Sequence, residues 1–499
     1  MAGHPDAPAP ARSEPESGAA SLPQIIMVLL AAVAGLLVFT GVSRPGASWA
    51  LAAGSLAGAA ALVLVARRSM ELFVLVVLVL RPALDGLHAP GGTQITDPAQ
   101  MLGALFVVVS GVWWIGRRLT GHRHPGSVAG MAAAGFLAAV AVATLGSDAP
   151  GRSVGELARM VTAVLMFFIV DRLCETTGRP DRFVVAVLAA AVVPVTVALV
   201  GPLAGLHRVE IKDRIERIVS TFAQSNPLGH FLTIVLLVLV AYVLLRPGQP
   251  RVLAVIAMAP VGLTLALTYT RLAWAAAVAG ILVMLWAAGR HRLVPALIAV
   301  LVALAAFSPG VGHRIDQLTS PNAAVNGSES GLQWRLGQWA DVTRLADSNP
   351  VTGIGPDVVA RRLLNGQPPH NDFLRAFVEM GVVGLVAFVA LLAALIGVAA
   401  RANRRAQGAR ARTVALAFVG VITAFVVSSI AANLLGQVVI LWYVFALAGA
   451  AAWVARHGVI RSAPDHPVAR LAAPTFPAAD AWLTAGVGSR ARSDVREVG

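Results

Sequence analysis

The chain alternates long apolar runs with short polar segments, and the runs have the length of a membrane crossing. About fourteen of them approach the ~20 residues that a helix needs to traverse the hydrocarbon core. Their centres lie near Ala34, Ala57, Val77, Val107, Leu137, Val164, Val193, Leu237, Val261, Gly280, Val300, Phe388, Val421 and Val444. The third run contains Arg81-Pro82, where an interruption is expected, and almost nothing separates the ninth from the tenth. The pattern predicts an all-α, polytopic transmembrane helix bundle of about 12–14 spans.

Polar stretches then divide the chain. Residues 1–21 read as a disordered tail rich in Pro, Ala and Ser, and the apolar run after them has no small-residue cleavage site, so it reads as a retained helix. Transmembrane helices fill 22–308, with a polar segment at 207–227. A large helical loop at 309–373 precedes the C-terminal transmembrane helices, 374–456, and a second disordered tail, 457–499, closes the chain.

Composition sharpens this reading. The 499 residues are 57% hydrophobic and 13% charged, which excludes an ordinary soluble domain. The formal net charge is +14, mostly arginine in short loops rather than on one face, which argues against a nucleic-acid partner. A lone cysteine, Cys174, rules out an internal disulfide.

The loop charges orient the bundle. Arg67-Arg68, Arg117-Arg118 with Arg123, Arg172 with Arg179 and Arg182, Arg246 with Arg251, Arg290 with Arg292, and the arginines of 401–412 all follow even-numbered runs, as does the arginine-bearing C-terminal tail. The positive-inside rule makes those loops and both termini cytoplasmic and sends 207–227 and 309–373 to the outer face. Arginines in the outer loops serve no topological purpose, and bidentate guanidinium groups suit an anion.

In the first outer loop, Ile211, Ile215, Ile218 and Phe222 recur at helical spacing, which predicts a short amphipathic interfacial helix with Arg214 and Arg217 on its polar edge. Either it is a solvated face of Glu–Arg pairs, or Arg217 turns inward toward a phosphate. Arg271, in Thr268-Tyr269-Thr270-Arg271, stands between two apolar runs. It either snorkels at a tight hairpin or serves a function, since a cation at the edge of hydrocarbon is costly unless paired. In the large loop, Leu332, Leu336, Trp339, Val342 and Ala346 predict a helix. Trp334 and Trp339 suit either the membrane interface or stacking on sugar rings.

The most informative segment is Pro368-Pro369-His370-Asn371-Asp372-Phe373-Leu374, leading to Glu379, Gly381 and Gly384. Asn371 or Asp372 is placed to cap the next helix. His370 therefore precedes a helix N-terminus, whose dipole favours the neutral ring that can accept a proton. Arg375 is spaced to form an ion-pair ladder with both Asp372 and Glu379, and Gly381 with Gly384 thins one face for close helix packing.

These residues carry a resemblance. His370-Asn371-Asp372-Phe373-Leu374 followed by Glu379-x-Gly381-x-x-Gly384 resembles the signature of the O-antigen ligase and polymerase family. Arg335 to Trp339, Asn349-Pro350-x-x-Gly353-x-Gly355-Pro356, Arg217 through Asn226-Pro227, and Thr270-Arg271 resemble its outer loops and its buried arginine. The similarity runs from Val209 to Trp442 and omits the first six spans. It implies a GT-C type glycosyltransferase of the bacterial cytoplasmic membrane, with an extracytoplasmic active site and no metal, cofactor or nucleotide-sugar site. The implied donor is a polyprenyl-diphosphate-linked glycan drawn from the membrane lipids, and the implied acceptor is a glycan, lipid or protein. Arg217 and Arg271 would hold the diphosphate and His370 would deprotonate the acceptor, with inversion. Arg214, Arg335, Asn371, Arg375 and Glu379 are candidates for supporting roles. Extension of a carrier-linked polysaccharide is the alternative within the family.

Other classes fit less well. A transporter or flippase should place ionisable groups near mid-membrane in repeated halves, and no repeat is visible. Related peptidoglycan polymerases rely on an outer-loop acid. Asp341, Asp347 and Asp357 are available, but the histidine signature argues against them.

Overall fold

The structure, a computed structural model, describes residues 48–87, 98–119, 126–212, 215–299, 331–363 and 369–460. They form an all-α polytopic bundle with one small hairpin. The helices are α1 (Ser48–Arg68), α2 (Met70–Leu84), α3 (Pro98–Leu119), α4 (Val128–Leu145), α5 (Pro150–Thr177), α6 (Asp181–Ala190) and α7 (Val192–Leu199). After the hairpin come α8 (Ser225–Leu245), α9 (Gln249–Leu267), α10 (Arg271–Ala287), α11 (Gly331–Leu345), α12 (Asp372–Arg405), α13 (Gly408–Ser429) and α14 (Val438–His457). Among the described residues nine helices are long and apolar enough to cross a membrane, with α6 and α7 together counted as one, and α10 is a shorter apolar helix. Twelve of the fourteen expected centres fall on these helices, while Ala34 and Val300 lie outside the described residues.

Burial follows composition. The Ala- and Gly-rich α14 is enclosed on nearly all sides, its main neighbour being α5. A Cβ at Gly449 would sit 2.8 Å from the Phe167 carbonyl oxygen, so only glycine allows this approach. The expected interruption at Arg81-Pro82 does not occur: α2 runs through Pro82 to Leu84. A proline near a helix end forfeits little backbone bonding, and buried Arg81 is satisfied by Asp85 at 2.8 Å and the Trp442 ring at 5.9 Å.

The helices alternate in direction, so the ends sort into two sets. One collects the arginines at the ends of α1, α3, α12 and α14, where Arg456 of α14 pairs with Asp171 and Glu175 of α5. The other collects the α8, α10 and α12 starts and the α13 end.

The segment before α8 corrects the sequence reading. In place of an amphipathic helix there is an antiparallel hairpin of β1 (Val209–Lys212) and β2 (Ile215–Ile218), with Glu210 opposite Arg217 and Ile211 opposite Glu216. Its Val and Ile content favours a pleated strand over so short a helix. Ile211 faces outward and Arg217 inward, the reverse of an apolar face seeking the core.

Candidate active site

The site is built around a break in α12. Gly381 has φ +67° and ψ −169°, so the helix ends at Met380 and restarts at Val382. Instead of merely thinning a helix face, as its spacing suggested, Gly381 interrupts the helix and leaves backbone groups without intrahelical partners. Residues 350–355 satisfy them. The amides of Val382 and Val383 donate to the Pro350 and Val351 carbonyls at 2.9 and 3.3 Å. The carbonyls of Val378 and Glu379 accept from Ile354 and Gly355 at 3.1 and 3.0 Å. The turn Gly353-Ile354-Gly355-Pro356 is thus a splint across a broken helix. Gly353, at φ +74°, has no room for a Cβ, which would lie 2.3 Å from the Glu379 carbonyl carbon.

The splint also reaches the α4–α5 connection. Ser153 Oγ donates to the Pro356 carbonyl at 2.7 Å, Asp148 N donates to that of Ile354 at 3.2 Å, and Arg362 pairs with Asp148 at 2.6 Å.

A buried ion network lies beneath it. Arg375 pairs with Glu379 at 3.0 Å and with Glu156 of α5 at 2.9 Å, and Glu156 pairs with Arg159 at 2.7 Å. The expected ladder from Arg375 to Asp372 is replaced: Asp372 accepts the amides of Leu434 and Leu435, each at 3.1 Å. Those amides open a helical turn just past α13, so Asp372 caps a different element. Asn371 is the N-cap of α12 itself, its side-chain oxygen accepting the Leu374 amide at 3.0 Å.

His370 is thereby fixed on both sides. Its backbone is left-handed, φ +51°, which costs free energy in a non-glycine residue. Trp339 Nε1 donates to the preceding Pro369 carbonyl at 2.7 Å, clamping the turn. The imidazole Nδ1 lies 3.2 Å from the Asn433 side-chain amide. The other non-glycine positive-φ residues among those described are Ser220, Tyr269 and Asp357. All of them belong to connections at this same end.

The two arginines singled out from the sequence are here too. Arg217 is buried on β2. Its hairpin is anchored by Arg208 to the Gly86 carbonyl at 3.1 Å, by Ser220 to that of Pro194 at 2.6 Å and by Thr221 to that of Pro82 at 2.7 Å. Half-burial lowers the Arg208 pKa from its ordinary value. Arg271 opens α10 and is exposed, which corrects the expectation of a buried arginine. The hydroxyl of Thr270, its neighbour, is 3.3 Å from both the Asn226 side-chain oxygen and the Ser225 carbonyl, tying the α8 and α10 starts together. Ser225 donates to Glu210 of β1. One turn into α8, His230 lies 3.3 Å from Ser428 at the end of α13, a few residues before Asn433. Arg217, Arg271 and His370 therefore all sit in segments tied to the same end of the bundle.

Arg214 and the side chains of Trp334 and Arg335 lie outside the described residues. Among the described residues no group of three or more His, Cys, Asp or Glu is arranged to hold a metal ion. Sequence reasoning missed Glu156 and Asn433. Glu156 could have been noticed as a carboxylate at the edge of an apolar run, whereas nothing local marks Asn433.

Residues 253–389 match the model of the O-antigen ligase family. No curated protein matches the chain.

Proposed function

From the match of residues 253–389 to the O-antigen ligase family model, we propose a membrane glycosyltransferase that moves a glycan from a polyprenyl-diphosphate carrier to an acceptor hydroxyl outside the cytoplasmic membrane. The distribution of arginines supports that orientation. The acceptor oxygen bonds to the anomeric carbon as the bond from that carbon to the diphosphate oxygen breaks. The leaving oxygen keeps the electron pair, and direct displacement inverts the centre. Buried Arg217 and exposed Arg271 offset the charge that develops on the diphosphate, and the fixed electrostatic stabilisation acts most strongly at Arg217, away from bulk water.

His370 takes the hydroxyl proton. The observation that carries this reading is its strained, doubly held geometry. Asn433 Oδ1 is buried with no hydrogen-bond partner among the described residues. Turning that amide over, a choice that heavy-atom positions leave open, would let Oδ1 accept from Nδ1–H. That tautomer leaves Nε2 to receive the proton and stabilises the imidazolium that forms. Trp339, a candidate for sugar stacking, commits its N–H to the histidine turn, leaving its ring face for a glycan. Arg375 and Glu379 act as scaffold.

The test is reconstitution with a polyprenyl-diphosphate glycan and lipid-anchored or carrier-linked acceptors. His370→Ala and Arg271→Ala should each lower transfer by about 100-fold or more while the purified proteins keep the wild-type melting temperature, and a chelator should leave turnover unchanged. Full turnover by His370→Ala would remove it from the base role. Transfer only to carrier-linked glycan would make the enzyme a polymerase.

A further inference from the structure

The arginine-rich end, opposite the proposed catalytic end, holds a second feature. A groove of about 640 Å³ opens between α6–α7, α8, α9 and α13, within the size range of small-molecule sites. Its walls are apolar and include Val184, Leu188, Val195, Leu239, Ala257 and Val261. Its mouth carries Arg179, Arg182, Arg246 and Arg410.

The charge at that mouth is not balanced. Arg179 has Asp181 at 3.5 Å and Arg182 has Glu71 at 2.5 Å. Among the described residues neither Arg246 nor Arg410 forms an ion pair, and Arg246 lies 5.9 Å from the Tyr242 ring centre. Arg410 and Arg251 also occupy the first turns of α13 and α9, which contain no acidic residue. A helix start favours an anion and disfavours a cation. With Arg410 at the mouth itself and Arg251 in the first turn of the helix whose start, Gln249-Pro250, lines it, this end makes an anion-attracting surface.

The apolar walls and basic mouth together specify a ligand. Along membrane-spanning helices an open apolar groove is filled by hydrocarbon, and a basic pocket between such helices selects an anionic head group. We infer that this groove binds one anionic phospholipid, its phosphate among Arg246, Arg410, Arg179 and Arg182 and an acyl chain along Leu188, Leu239 and Val261. Arg217, Arg271 and His370 take no part, so the inference stands apart from the proposed transfer reaction.

Native mass spectrometry of the detergent-purified full chain tests it. The protein is titrated with phosphatidylglycerol and with phosphatidylcholine of identical acyl chains. Wild type should retain phosphatidylglycerol at a roughly tenfold lower concentration, as expected when arginines face a head group of net negative charge rather than a zwitterion whose choline offsets the phosphate. The double variant Arg246→Gln/Arg410→Gln should erase the difference, and Ala257→Trp should exclude both lipids by filling the groove. Equal retention of the two lipids by wild type, which needs no variant to measure, overturns the inference. So does an unchanged preference in the double variant. Displacement of phosphatidylglycerol by inorganic phosphate alone would show an ion site rather than a lipid site, and preferential displacement by polyprenyl phosphate would reassign the groove to the carrier. Either result would overturn it.

Discussion

Substituting Gly381 by alanine tests the splinted break directly. Gly381 occupies a region of backbone space that is essentially reserved for glycine. A Cβ there would lie 2.0 Å from the Val351 carbonyl oxygen, 2.2 Å from its carbon and 2.5 Å from the Thr352 nitrogen. All three are backbone atoms, so no side-chain rotation relieves the clash. The lesser response is for the helix to straighten, expelling residues 350–355. The backbone strain is worth about 1–3 kcal/mol, and each of the four hydrogen bonds across the break about 0.5–1.5 kcal/mol. Straightening relieves the strain but sacrifices those four bonds, so Gly381→Ala should destabilise the protein by about 2–6 kcal/mol. Thermal unfolding in detergent measures this, with Gly397→Ala as the control. Gly397 lies on the same helix, and a Cβ there would approach only Arg401 at 3.7 Å. If Gly381→Ala unfolds with the control, the splint is not a stabilising feature and the account of the site's rigidity fails.

Three further outcomes follow from the same geometry. Arg375→Met strands Glu379 without its buried cation, leaves Glu156 with Arg159 alone, and should cost about 3–5 kcal/mol in chemical denaturation; a loss below about 1 kcal/mol would show that water reaches the network. Trp339→Phe deletes the hydrogen bond to the Pro369 carbonyl and keeps an aromatic ring. It should lower stability by about 1 kcal/mol and reduce kcat more than it raises KM, whereas a pure KM effect would assign Trp339 to sugar binding alone. Asn433→Asp puts a negative charge beside His370, which favours the imidazolium. A base must be neutral to act, so the acid limb of the pH–rate profile should move to higher pH, and an unmoved limb would separate Asn433 from the titrating group.

Which parts of this were legible in the chain depends on how local each signal is. Helix position was readable because apolar length alone fixes a transmembrane helix, and most of the expected centres lie on helices. The Asn371 cap and the α11 helix were readable for the same reason, being written within a few residues. The hairpin was misread because Ile211, Ile215, Ile218 and Phe222 satisfy a helical period while the β-branched isoleucines suit strands, and only the anchoring of Ser220 and Thr221 to distant helix ends decides between them. Gly381 was misread because a glycine that relieves crowding and one that takes a left-handed backbone look alike in one dimension. Glu156, 219 positions from its partner Arg375, and Asn433, 63 from His370, carry no local mark.

The sutured helix has a consequence for protein engineering. The family-matched stretch 253–389 contains the histidine, but Ser153 and Asp148, which tether its splint, and Glu156, which neutralises Arg375, come from before it, while Asn433 comes after. That stretch is therefore no transplantable cassette. A chimera exchanging it between relatives should assemble a working centre only when the α4–α5 corner and the end of α13 travel with it.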